Sequence, residues 1–248
     1  MNKEACVIIP ARYTSTRFPG KPLIDLCGKS MLRRVWEKCS DAIGVDHVYV
    51  ATDDDRIANH CKENNFKFIM TGDCNTGTDR VAEAYRKLGE EYCTILNVQG
   101  DEPLIKPIDI LKVAGGHKSG ASDGYICCGM CPIYRPDDFY NPNIIKIVVD
   151  YRGYLIYASR SAIPGNKKLQ FIDGTAFKQV CIYAFSPDAL LFFENTMPGY
   201  IERYEEVEFL RFIESGKKIK MIEVSSDSVS VDIPEDADKV REVLIKRG

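Results

Sequence analysis

The chain has 248 residues, 45% of them hydrophobic and 28% charged, with a formal net charge of −3. Those proportions suit a globular protein with a real core and speak against a nucleic-acid binder, which needs a clustered excess of Lys and Arg. The opening MNKEACVIIPAR is interrupted by Pro10 and Arg12, and no stretch reaches the roughly 18 apolar residues of a membrane helix, so the expected setting is the cytoplasm with no membrane partner.

Residues 5–9 (ACVII) read as a buried strand, and a loop rich in Pro, Gly and basic residues follows. Leu32, Val35, Trp36 and Cys39 recur at helical spacing over 30–42. Next come a strand over 47–52, a helix near 54–64, a strand over 67–70, a helix near 78–89 and a strand over 94–98. Strands and helices in alternation predict an α/β fold with a doubly wound, mostly parallel sheet. Ligands of such sheets bind beyond the C-terminal strand ends, where four polar loops of this chain fall.

From about residue 124 the pattern turns β-rich, through YICCGMCPIY, NIIKIVVD, GYLIYASR and KQVCIYAF, with Gly153 at a hairpin turn. This predicts a mixed-sheet extension at about 124–186 within a single domain spanning 1–248. Cys128 and Cys131 form a lone CxxC without a second ligand pair, and His47, His60 and His117 offer no metal spacing, so core cysteines are expected. Helices near 187–195 and 203–215, a strand around 218–224 and a helix from about 235 to 246 close the chain.

Four segments carry candidate chemistry. The loop after the first strand holds Arg12, Ser15, Thr16, Arg17, Gly20 and Lys21, and three cations with two hydroxyls at a strand's C-terminal end suit a polyphosphate. It is neither GxxxxGK[ST] nor GxGxxG, which disfavours the P-loop and dinucleotide-fold readings. In NVQGDEP, an apolar strand delivers Gln99, Asp101 and Glu102, and a carboxylate there suits Mg²⁺, although a plain surface turn explains this segment at least as well. Asp232, before the last helix, is either a helix cap or a second metal ligand beside Asp101; local sequence favours the cap. In MTGDCNTGTDR, small residues suit close approach to a nucleobase, Thr78-Asp79 could begin a helix and Arg80 could reach an anion, with an ordinary strand-to-helix loop the equal alternative.

Taken together, IIPARYTSTRFPGKPL, TGDCNTGTDRVAEA, ILNVQGDEPLI, the FYNPNIIKIVVDYRGYLIYASRSAIP stretch, VEFLRFIESGKKI and VDIPEDADKVR resemble the 3-deoxy-manno-octulosonate cytidylyltransferases. The resemblance runs in order over nearly the whole chain. It implies a Mg²⁺-dependent nucleotidyltransferase that couples CTP to a 2-keto-3-deoxy sugar acid and releases pyrophosphate, usually as a homodimer feeding bacterial surface-polysaccharide synthesis. Carried over by position, Arg12, Ser15, Arg17 and Lys21 would hold the triphosphate, with Arg12, Lys21, Asp101 and Asp232 forming the catalytic set and the two aspartates holding magnesium. Asn75, Thr76 and Gly77 would face the cytosine, and Arg80, Gln99, Gln179, Tyr183 and Glu208 would line the sugar-acid pocket. The chain departs from the family at Gln179, where a histidine is expected, and at Phe209, where VEFLR replaces LEQLR. It departs also in the cytosine loop, which reads Asn-Thr-Gly-Thr. These departures keep open a modified octulosonate, a sialic-acid-like sugar or a phosphonate as acceptor, and, in another class, a non-catalytic nucleotide-binding homologue.

Overall fold

The computed structural model describes residues 3–15, 17–119, 126–168, 170–225 and 229–247. Thr16 lies outside them. Strand β1 (Lys3–Pro10) has Cys6, Val7, Ile8 and Ile9 fully buried, the continuous apolar run of a strand covered on both faces. Parallel to it run β2 (Val48–Thr52), buried throughout, and β4 (Tyr92–Val98), and β3 (Lys67–Met70) extends the sheet beyond β2 as a half-exposed edge.

Helices fill both faces. Leu32, Val35 and Cys39 of α1 (Met31–Ile43), Ile57 and Cys61 of α2 (Asp55–Glu63), and Ile110 and Val113 of α4 (Pro107–Ser119) pack on one face. Val81, Ala82 and Ala84 of α3 (Gly77–Leu88) pack on the other. The crossovers therefore change face between β1 and β4, the switch point where doubly wound sheets open their crevice. Gly100 sits there in close quarters, since a Cβ would lie 3.1 Å from the Pro10 carbonyl oxygen.

The β-rich stretch continues the same sheet rather than forming a subdomain. The strand order β3-β2-β1-β4-β8-β5-β9 places β8 (Phe177–Phe185) antiparallel between β4 and β5 (Ile126–Pro132), and β9 (Lys220–Glu223) parallel to β5. Only the hairpin of β6 (Lys146–Val149) and β7 (Leu155–Ser159) leaves that order, and Gly153 turns nearby with φ 78. Cys127, Cys128 and Cys131 are buried in β5, as expected of core thiols.

Two expectations change. The helix expected over 203–215 is two short ones, α7 (Tyr200–Glu205) and α8 (Leu210–Glu214), because Glu206 takes a left-handed conformation at φ 52 and ends the first. A short helix α5 (Pro136–Tyr140) joins α4 as an element not expected from the sequence. Helix α3 begins one residue before Thr78, with Thr76 as its cap.

Helix α6 (Pro187–Glu194) covers the face that holds α3, and α9 (Pro234–Arg247) closes the chain. Val231, Ala237 and Val240 pack on Leu26, Met31 and Leu104, so the C-terminal segment sits against the basic loop.

Candidate active site

Because β1, β2, β3 and β4 are parallel, the four polar loops meet at one sheet edge. The backbone N–H of Val231 donates to the Asp101 carbonyl at 2.9 Å, which holds the late segment beside the end of β4. The two aspartates converge as a result. Lys21 Nζ lies 2.9 Å from Asp101 Oδ2 and 3.6 Å from Asp232 Oδ1, so the two carboxylate oxygens are no farther apart than those distances laid end to end. Arg17 adds a second cation at 2.9 Å from Asp232.

Helix capping does not occupy Asp232. Asp236 does that work, its carboxylate accepting from the Asp232 and Ile233 backbone N–H groups at 3.2 and 3.4 Å. The Asp232 carboxylate is thereby left to the basic loop, so the cap favoured by local sequence is corrected. Ser15 accepts from the Phe18 N–H at 3.3 Å and shapes that loop, and Arg12 stands exposed beside it with no carboxylate partner among the described residues.

A second cluster forms where α3 meets β4, β8 and the segment before α8. Thr76 and Asp79 make a reciprocal capping box that fixes the start of α3. Gly77 is tight against Gln99, whose Nε2 would lie 2.8 Å from an added Cβ. Gln99 donates to Asn97 at 3.2 Å, and Asn97 donates to the Thr78 hydroxyl at 3.2 Å. Thr78 in turn gives both its N–H and its hydroxyl to Glu208, at 3.0 and 2.8 Å. Burial pushes the Glu208 carboxyl above the usual range, against the Thr78 donors that favour its charged form. Tyr183 is 4% exposed and pairs with Gln179 through a hydrogen bond from Nε2 to its hydroxyl. Phe209 is buried, with its ring 6.0 Å from that of Tyr183.

Arg80 does not join this cluster. Its guanidinium is buried and tied to Asp53 at 2.8 Å, and it also donates to the Thr71 hydroxyl and the Gly72 carbonyl. It braces the loop before α3 instead, and Asn75 stands exposed on that loop. The three partners of Arg80 lie on the loop after β2 and on the loop before α3.

A family model described as Cytidylyltransferase matches residues 6–219. A 3-deoxy-manno-octulosonate cytidylyltransferase of Geotalea uraniireducens is 41% identical over 251 residues, covering 96% of this chain and 98% of that one. The mitochondrial 3-deoxy-manno-octulosonate cytidylyltransferase of Arabidopsis thaliana is 38% identical over 243 residues, covering 97% of this chain and 83% of its own. The chain belongs to the 3-deoxy-manno-octulosonate cytidylyltransferase family. A solved CMP:2-keto-3-deoxy-manno-octonic acid synthetase complexed with CTP superimposes with a TM-score of 0.89 at 33% identity, covering 99% of this chain and all of that one.

Within this octulosonate cytidylyltransferase, the sequence did not mark Asn97, Asp53 or Asp236, and it marked Thr78 only as a helix start. Asn97 is fully buried in an apolar strand, and a polar residue amid TILNV was the one signal that could have marked it. Among the described residues no helix is long and apolar enough to cross a membrane, and no group of three or more His, Cys, Asp or Glu could hold a metal.

Proposed function

We propose that this enzyme couples CTP to a 3-deoxy-octulosonate-type sugar acid, forming a CMP-sugar and releasing pyrophosphate. The observation that carries the reading is the meeting of Asp101 and Asp232 at the Lys21 ammonium, with Arg17 alongside. Partly exposed hard oxygen donors in a pair fit magnesium, which takes one or two protein carboxylates and completes its shell with water and phosphate. In this reading Asp101 and Asp232 would hold the ion, which when bound supplies charge neutralisation at the α-phosphate.

The chain's own groups account for the rest. Arg12, Arg17 and Lys21 grip the triphosphate, with Ser15 shaping their loop, and Asn75, Thr76 and Gly77 border the base. Gln99, Gln179, Tyr183 and Glu208 hold the acceptor so that its anomeric hydroxyl attacks the α-phosphorus opposite the departing pyrophosphate. Positioning and charge, rather than a covalent enzyme intermediate, lower the barrier. The family resemblance further supports a cytoplasmic homodimer whose product enters polysaccharide synthesis; sedimentation of the purified protein tests the dimer.

Incubation with CTP, Mg²⁺ and a panel of acidic acceptors, scored by pyrophosphate release, tests the activity. Release that depends on the octulosonate is expected. Binding of CTP with no release for any acceptor would favour the silent-homologue alternative.

A further inference from the structure

Arg211 is buried on α8, and its guanidinium meets two carboxylates that do different work. Its Nε and Nη2 fork onto Glu202 of α7 at 2.8 and 2.6 Å, and Glu202 is itself buried. That pair alone balances the charge. Nη1 turns the other way, to the Phe193 and Thr196 carbonyls at 3.0 and 3.2 Å and to Asp79 Oδ1 at 3.3 Å. The guanidinium carbon lies 3.6 Å from the centroid of the Phe193 ring, which fixes the plane of the fork.

The Asp79 contact is not needed to keep the cation buried, since Glu202 and two carbonyls already hold it. What the contact reaches is the start of α3. Asp79 Oδ2 accepts from the Thr76 N–H and hydroxyl at 3.1 and 2.9 Å, so one carboxylate joins Arg211 to the residue that caps the helix. The neighbouring branch runs elsewhere: Glu208, three residues before Arg211, takes Thr78 into the buried cluster. Arg211 therefore acts on the side of the turn that holds Thr76 and Gly77, with Asn75 exposed just before it. From the other side Gln99 crowds the turn, its Nε2 lying 2.8 Å from where a Cβ on Gly77 would be. A lysine could meet Glu202 or Asp79 from a single point, but only the planar fork of arginine spans both.

We propose that Arg211 is a positioning residue for the nucleotide: through Asp79 it fixes the Thr76–Gly77 turn in the shape that receives the base. The inference rests on the cytidylyl-transfer reading and adds to it a residue that acts from behind the base-facing turn.

The test uses the full-length enzyme with CTP, Mg²⁺ and the octulosonate, and compares Asp79→Asn, Arg211→Lys and the double variant. Asp79→Asn keeps an oxygen for Thr76 and turns an amide NH₂ toward Arg211, which cuts the link and spares the cap. Each single variant is expected to raise the KM for CTP roughly tenfold, the order of one hydrogen bond to a charged group, with the acceptor KM in place. The double variant should match the poorer single within about twofold, because both cut the same link. A lowered melting temperature with the KM for CTP within about threefold of the unsubstituted enzyme would make Arg211 purely structural and overturn the inference. Equal changes in both KM values, or single effects that multiply in the double variant, would overturn it too. Where Arg211→Lys does not fold, calorimetric titration of CTP into Asp79→Asn decides the matter: a weakened Kd is expected, and an unchanged one overturns the inference. No CTP binding or no pyrophosphate release in the unsubstituted enzyme overturns the activity itself.

Discussion

At one end of the site Arg17, Lys21, Asp101 and Asp232 meet by charge, and the Arg17 side chain is 54% exposed. At the other end buried Thr78 and Asn97 are hydrogen-bonded in a chain that reaches Glu208, and buried Tyr183 pairs with Gln179 beside them. The contrast separates two tasks. Exposed ion pairs are worth little to stability and are easily exchanged for a ligand's charges. A buried hydrogen-bonded network is rigid, and any mismatch within it is costly, which makes it an instrument of selection. On the proposed function, the ionic end takes the nucleotide triphosphate and the buried end selects the sugar.

Substitutions can break or sharpen this contrast. Asp101→Asn and Asp232→Asn should have the largest effect, cutting pyrophosphate release by roughly a thousandfold, as expected for loss of preorganised charge at the reacting centre, with little change in melting temperature. Near-normal rates at saturating Mg²⁺ would show that the two carboxylates are not the centre of the ionic end.

Glu208→Gln comes next, because an amide cannot accept from both Thr78 donors. A loss of about 10- to 100-fold in kcat/KM for the acceptor is expected, with CTP unaffected. Burial holds the Glu208 carboxyl above its ordinary range, so acceptor kcat/KM should climb as pH rises through that raised value, and the climb should vanish in the variant. Linkage runs the other way for stability. The folded state binds this proton more tightly than the unfolded chain, so the contribution is full at low pH and declines as pH rises through the folded value. A pH profile identical in both proteins would remove Glu208 from the buried end's function.

Arg17→Gln should raise the KM for CTP roughly tenfold, the order of one hydrogen bond to a charged group, and leave the acceptor KM in place. An equal change in both constants would blur the division between the two ends. Smallest is Asp236→Ala, which removes the acceptor for the Asp232 and Ile233 N–H groups and should cost about 1 kcal/mol of stability in a denaturant titration.

The ionic end was largely legible in the sequence, because clustered cations and carboxylates at strand ends are unusual and their placement follows from strand-helix alternation. Asp232 was the exception. Aspartate near a helix start reads as a cap, and only the presence of Asp236 four residues later, with its carboxylate turned back on the chain, releases it. The buried end was legible by resemblance for Gln99, Tyr183 and Glu208, and not for Thr78 or Asn97, whose roles depend on α3 lying over β4. Arg80 suits an anion by its type, and its pairing with Asp53 on the loop after β2 could not be read from the sequence, since it joins residues from two different crossovers. Strand periodicity located β5 and β8 but could not say that β8 would intervene between β4 and β5, since pairing order is a long-range property.

The hydrogen bond from Val231 to the Asp101 carbonyl has a consequence for how the protein is made. During translation the basic loop and Asp101 emerge early, and most of the sheet can assemble before residue 232 leaves the ribosome. A nascent chain at that stage possesses half of the carboxylate pair, and on the proposed function it would be idle toward nucleotide. On the proposed assignment, competence waits for the segment around residue 232, so that only molecules in which it has docked on Asp101 begin to consume CTP.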